Sequence, residues 1–260
     1  TLGVGQGSYV DDALNENPGL TGAELKFESD TIQDKYAKTC HNQLLSLYAY
    51  QLGTDGKIIE NSGIDLSGNL KGNKIDWQSP AEGNWLVTQV YSVAKKPSLD
   101  PMHPLSGKNY VKHFFQRFED RFPEQSKGGL NFFFSDELNF NLHGYIWNSI
   151  FRDEFRKRKG YDIVPYLTAL FTHIGPITPK IRLDYNDVMV SLSEENFFIP
   201  VYQWHEDRNL IYGCDHGGRG KDVSEFGDYF RTQRWNQAPG CDQPNLGKDI
   251  IKNKVASSIA

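Results

Sequence analysis

The sequence predicts an α/β protein built on a parallel sheet or a (β/α) barrel, and three observations carry that expectation. Twice a short apolar run breaks off into polar, acid-bearing residues: Leu130-Asn131-Phe132-Phe133-Phe134 into Ser135-Asp136-Glu137, and Asn209-Leu210-Ile211-Tyr212-Gly213 into Cys214-Asp215-His216. Each run follows a stretch with helical spacing, so both polar ends are expected on the same C-terminal face of a sheet, where α/β enzymes carry their chemistry. The length, 260 residues, is enough for one large core or two small ones.

The elements follow in order. Leu2 to Tyr9 starts as a strand and breaks into Gly3, Gly5 and Gly7; no GxGxxG opens a helix there, so a tight turn is expected and a dinucleotide fold is not. From Leu44 to about Lys95 the texture is all-β. Leu44 to Leu52 meets the hairpin signal Thr54-Asp55-Gly56, Lys57-Ile58-Ile59 resumes the strand, and Lys74 to Trp77 and Trp85 to Tyr91 add two more. Val111, Phe114, Phe115, Phe118 and Phe122 recur at helical spacing and lead into the Leu130 strand, itself bounded by Gly128-Gly129. Trp147, Ile150, Phe151 and Phe155 mark another helix. It ends in Arg156-Lys157-Arg158-Lys159 before Gly160, a basic last turn followed by a stop, which is a solvated helix end rather than a phosphate site. A long helical pattern from about Leu183 to Asn209 contains Pro200, which should kink or divide it. The expected organisation is therefore a barrel portion beginning at residues 1–43, an inserted β-subdomain at 44–95, and the rest of the barrel portion, with the catalytic strand ends, at 96–260.

Composition narrows the partners. Aromatic residues make up 13% of a chain that is only 38% hydrophobic, so many rings are expected on surfaces or in a cleft, as in sites where the apolar faces of sugars stack. A net charge of −5 argues against nucleic acid, which calls for a basic face. No apolar stretch approaches a membrane span and no signal peptide is visible, so no membrane partner is expected; the chain starts at Thr1, so a leader or more can precede it. A periplasmic or extracellular setting is favoured, but nothing in the residues fixes it. Cys40, Cys214 and Cys241 lack metal-type spacing; Cys214 and Cys241 are close enough in sequence to pair, though buried thiols are the simpler expectation.

The residues that carry these features also resemble a known family. Phe133-Phe134-Ser135-Asp136-Glu137, Trp147, Phe151, Glu154-Phe155, Arg158, and above all Gly160-Tyr161-Asp162-Ile163 with Pro165-Tyr166-Leu167, resemble the catalytic barrel of α-L-rhamnosidase-type glycoside hydrolases of family 106. The likeness continues through Asp184-Tyr185, Glu195-Asn196-Phe197, His216-Gly217 and Pro239-Gly240, and upstream through Asp55-Gly56, Trp77, Gly83-Asn84-Trp85 and the stretch around Asp100. The resemblance implies a TIM-like (β/α) barrel, partial or a fragment because early strands are missing, with an inserted small β-subdomain. It further implies inverting cleavage of terminal α-L-rhamnosides, with calcium as cofactor. The chain departs from the family pattern at one point: Asp136 is followed at once by Glu137, and Asn139 stands where a later glutamate is expected.

Glycoside hydrolysis needs one carboxylic acid to protonate the leaving oxygen and a second carboxylate to activate water or attack the sugar; in inverting enzymes the two stand roughly 6.5–9.5 Å apart. Glu137 is the expected acid. Asp136, facing the other way by strand alternation, either raises the Glu137 pKa by like charge or binds substrate or metal. For the base, Asp242 ranks first, then Asp215, then Glu225. Asp215, His216, Trp235 and Tyr9 complete the expected substrate-binding set. His216 is equally readable as a loop histidine bonded to backbone, and Trp235 is the candidate stacking ring. Trp147 and Trp204 read as core, while His205, Glu206 and Glu194-Glu195 read as solvated. Two alternatives stay open: a catalytically inactive carbohydrate-binding relative, and a retaining glycosidase of different sugar specificity.

Overall fold

The computed structural model describes residues 2–3, 8–124, 127–129, 131–216, 225–240 and 250–259. The chain divides into two compact units, one formed by residues 1–22, 95–142 and 189–260, the other by residues 23–94 and 143–188.

The first unit is built on a parallel sheet of four strands, Leu2–Gly3, Phe132–Leu138, Ile211–His216 and Ala238–Pro239, hydrogen-bonded in chain order. The expected parallel sheet is present, and the second and third strands are the two apolar runs legible in the sequence. Among the described residues the sheet is open, with no closed barrel. Two of its strands are two residues long, too little ladder to curl the sheet shut. Helices Ser8–Glu16, Ser106–His113 and Phe115–Arg121 and the helix Ile199–Glu206 supply the apolar partners. Their core joins Tyr110, Phe115, Phe197 and Tyr212 to Leu138, Phe140 and Cys214, all buried. Phe115 meets Tyr110, Phe133 and Tyr212 edge-on at 5.0–5.6 Å, the arrangement ring quadrupoles favour.

Pro200 divides the long helical pattern as expected, in a specific way. Helix Thr178–Ser193 widens into a π-turn at Glu194–Phe198 before Ile199–Glu206 continues. Proline lacks the N–H that the carbonyl four residues earlier would accept and its ring crowds that carbonyl, so the helix accommodates it by opening one turn. Helix Ser106–His113 packs on this opened turn through Gly107. A Cβ there would lie 2.6 Å from the Phe197 carbonyl oxygen and 3.0 Å from that of Asn196, which only glycine avoids.

In the second unit, a five-stranded, mostly antiparallel sheet runs in the order Ile146–Trp147, Thr21–Ile32, Trp85–Leu99, Leu44–Gln51 and Ile64–Asp65. A three-stranded antiparallel sheet has the order Lys35–Thr39, Lys74–Gln78, Leu70–Lys71. Trp77 and Trp85, edge-to-face at 5.7 Å, anchor its core with Leu47, Ala49, Leu66 and Val87. The all-β stretch 44–95 falls within this unit except for residue 95, and Ile146–Trp147 is an edge strand of its five-stranded sheet. After Thr54-Asp55-Gly56 the returning strand is reduced to one bridge, Leu52 with Ile58.

The most family-like element lies in this unit and serves packing. Gly160, with φ of +78°, ends helix Phe151–Lys159 in the left-handed conformation. Asp162 accepts from Arg152 Nε and Nη2 at 3.1 and 2.6 Å and from the Val164 N–H at 3.2 Å, while Ile163 and Leu167 are fully buried. Among the described residues no helix is long and apolar enough to cross a membrane.

Candidate functional site

The site is built where the two longer parallel strands end. Strand Phe132–Leu138 is held in register by a buried hydroxyl cluster: the Tyr110 and Tyr212 hydroxyls each lie 2.9 Å from Ser135 Oγ. One residue further on, the pairing changes. Cys214 stands opposite Ser135, yet His216 stands opposite Leu138, so Asp136 and Glu137 together face the single residue Asp215. This is a β-bulge, two residues against one. Glu137 takes up the extra length with φ of +49°, a left-handed conformation that costs a non-glycine residue about 1–2 kcal/mol.

The bulge is held from across the strand pair. The Glu137 N–H, displaced from the regular ladder, donates to Asp215 Oδ1 at 2.7 Å, and Asp215 is 2% exposed. The bulge also corrects the expected alternation: Asp136 is exposed and Glu137 half-buried, with the buried Leu138 anchoring the strand beyond them. Asn139 is exposed, and its Oδ1 accepts from the Asn141 N–H at 2.6 Å, a local turn that ends the strand.

His216 closes the neighbouring strand and is fully buried. Its ring lies 4.7 Å from Phe226, 5.2 Å from Tyr229 and 5.8 Å from Phe198. Among the described residues neither ring nitrogen has a hydrogen-bond partner. Burial among rings pushes its pKa down to about 3, and the imidazole is neutral at physiological pH.

The sequence-predicted residues therefore separate. Glu137, Asp136, Asp215 and His216 meet at the C-terminal edge of adjacent strands. Trp235 precedes strand Ala238–Pro239, and its indole N–H donates to Glu194 Oε1 at 3.0 Å, in the π-turn whose Phe198 ring lies against His216. The Arg234 guanidinium lies 4.9 Å over its ring and Tyr202 meets it edge-on. Asp242 and Cys241 lie outside the described residues, as do the side chains of Tyr9 and Glu225. Cys40 and Cys214 are both buried.

Two residues expected to be solvated are instead interior. His205 is fully buried, stacked on Tyr212 at 4.8 Å with Nδ1 2.7 Å from the Val201 carbonyl oxygen. Glu194 lies in the π-turn with its side chain 5% exposed and gathers Arg231, Arg234 and Trp235. Calcium, implied by the family likeness, finds no group of three or more His, Cys, Asp or Glu side chains arranged to hold a metal among the described residues, and no step below runs through it.

A solved structure titled as a rhamnosidase from Novosphingobium sp. PP1Y is similar over 69% of this chain at 20% identity and a TM-score of 0.49, and the chain spans 19% of that protein's length. No curated protein matches. The sequence pattern of glycoside hydrolase family 106, alpha-L-rhamnosidase, matches residues 10–240. With that match running through both parallel strands and the bulge between them, the chain belongs to the alpha-L-rhamnosidase family of glycoside hydrolases, family 106.

Proposed function

We propose that this chain carries the acid side of a glycosidase site that removes a terminal sugar, an α-L-rhamnoside first, from an oligosaccharide or polysaccharide with inversion. The four parallel strands, bonded in chain order, fit one arc of a TIM-like (β/α) barrel. The observation that carries the reading is the position of Glu137 at the C-terminal edge of that sheet, on a bulge that re-aims a carboxyl away from the strand's regular alternation.

Glu137, protonated, donates to the glycosidic oxygen as the bond to the anomeric carbon breaks. Asp242 takes a proton from the water that attacks the opposite face, so one proton enters the leaving group and one leaves the water, and exchange with solvent resets both carboxyls.

Asn139 favours a second reading, a carbohydrate-binding relative without hydrolysis, because the family-like position for a glutamate holds an amide engaged in a turn. One experiment separates the two: steady-state hydrolysis of an alkyl α-L-rhamnoside, whose leaving oxygen must be protonated, by wild type and Glu137→Gln, with rhamnose binding measured alongside. The acid assignment expects a loss of about 10²–10⁴-fold in kcat for the variant. Hydrolysis at an undiminished rate removes Glu137 from the acid role, and rhamnose binding without hydrolysis by wild type establishes the second reading.

A further inference from the structure

We propose that Asp215 is the positioning residue for Glu137: its buried carboxylate, by accepting the Glu137 N–H, maintains the two-against-one bulge that presents the acid. The inference rests on the role proposed for Glu137 and adds a residue that acts through it.

The register makes the argument. Up to Ser135 and Cys214 the two strands pair one to one, and continued regular pairing would set Asp136 against Asp215 and Glu137 against His216. A slip of one residue moves a strand's side chains to the other face of the sheet. Regular pairing would therefore turn Glu137 away from its present direction and place Leu138, now 1% exposed, out of the core. Against this, the bulge puts Glu137 at positive φ and takes its N–H out of the ladder. A displaced donor beside a buried strand has to find an acceptor. Asp215 Oδ1 supplies it at 2.7 Å, and an ionised acceptor makes that bond stronger than a neutral one would be.

The same geometry separates Asp215 from the base role for which it was second choice. The carboxylate sits on the strand adjacent to Glu137, 2% exposed, with one oxygen already engaged by the backbone that carries the acid. A base for an inverting reaction acts across the sugar from the acid, with space for a water between them.

The test uses the full chain in wild-type form and as Asp215→Ala and Asp215→Asn, with alkyl α-L-rhamnoside kinetics and a crystal structure of each. Alanine removes the acceptor. Its kcat is expected to fall about 100-fold, the effect of misplacing a catalytic group by roughly 1 Å, with KM within about threefold. In its crystal structure residue 137 returns to negative φ and Asp136 pairs with residue 215. Asparagine keeps an acceptor oxygen and restores most of kcat with the bulge intact. If the alanine variant does not fold, Asp215→Ser, whose hydroxyl is one atom too short to reach, takes its place with the same expectations.

Wild-type kcat in the alanine variant overturns the proposal. So does a bulge that persists without the carboxylate, or an asparagine variant as impaired as alanine with a raised KM, which would mean that Asp215 touches substrate. Should wild type show no hydrolysis, the functional reading fails while the crystallographic comparison still decides whether Asp215 holds the bulge.

Discussion

The indole N–H of Trp235 donates to Glu194 Oε1 at 3.0 Å, and the same carboxylate accepts from Arg231 Nε at 2.9 Å through its other oxygen. One buried acid thus ties the segment following helix Tyr229–Gln233 to the π-turn of Glu194–Phe198. Replacing Glu194 with alanine leaves the indole N–H without its acceptor. Arg231 and Arg234 are 30% and 54% exposed and can turn to water, which limits the damage. The expected loss is about 2–3 kcal/mol, with a smaller loss for Glu194→Gln, which keeps one acceptor oxygen. Urea unfolding checks this: the midpoint should fall while the slope stays unchanged.

Acid should destabilise the first unit through its two buried histidines. Burial lowers His216 to about 3 and His205 to about 4, from an ordinary value of 6.5. Between those values and 6.5 the unfolded chain binds protons that the folded chain refuses, so stability is complete above 6.5 and declines as pH falls toward the folded values. Each histidine contributes a slope approaching about 1.4 kcal/mol per pH unit within its window. Unfolding free energies at pH 7.5 and 5.5 should differ accordingly, and His216→Phe should flatten the dependence. An unchanged slope in that variant would contradict a neutral, buried His216.

Gly160 tests whether the most family-specific motif serves packing. No atom lies within 4 Å of where its Cβ would stand, so only its φ of +78° resists substitution. Gly160→Ala should cost about 1 kcal/mol and Gly160→Asn less, since asparagine tolerates the left-handed region. Thermal unfolding reads the difference. Rhamnoside kinetics should not change, and a fall in kcat would give this motif a catalytic role instead.

The two strands that carry the site were legible because each is a short apolar run that stops at an acid, a pattern needing no knowledge of distant residues. The helix division at Pro200 was legible for the same local reason: a missing N–H acts within one turn. The placement of Glu194 and His205 was not, because their spacing on the helix is polar and only the packing of Arg231, Trp235, Phe115 and Tyr212 around them makes them interior. Nor was the bond between Trp235 and Glu194, since the two lie 41 residues apart.

By itself the sequence determined the two longer parallel strands, the carboxylates at their ends and the family likeness, all of which are written in local periodicity and motif. Only the tertiary structure decided the division into two units, the bulge, and the meeting of Glu137 with Asp215. The physical reason is that strand register is a relation between two segments. A shift of one residue leaves each segment's composition and pattern unchanged, yet it reverses which side chains face the core, and only pairing across 78 residues of chain fixes it.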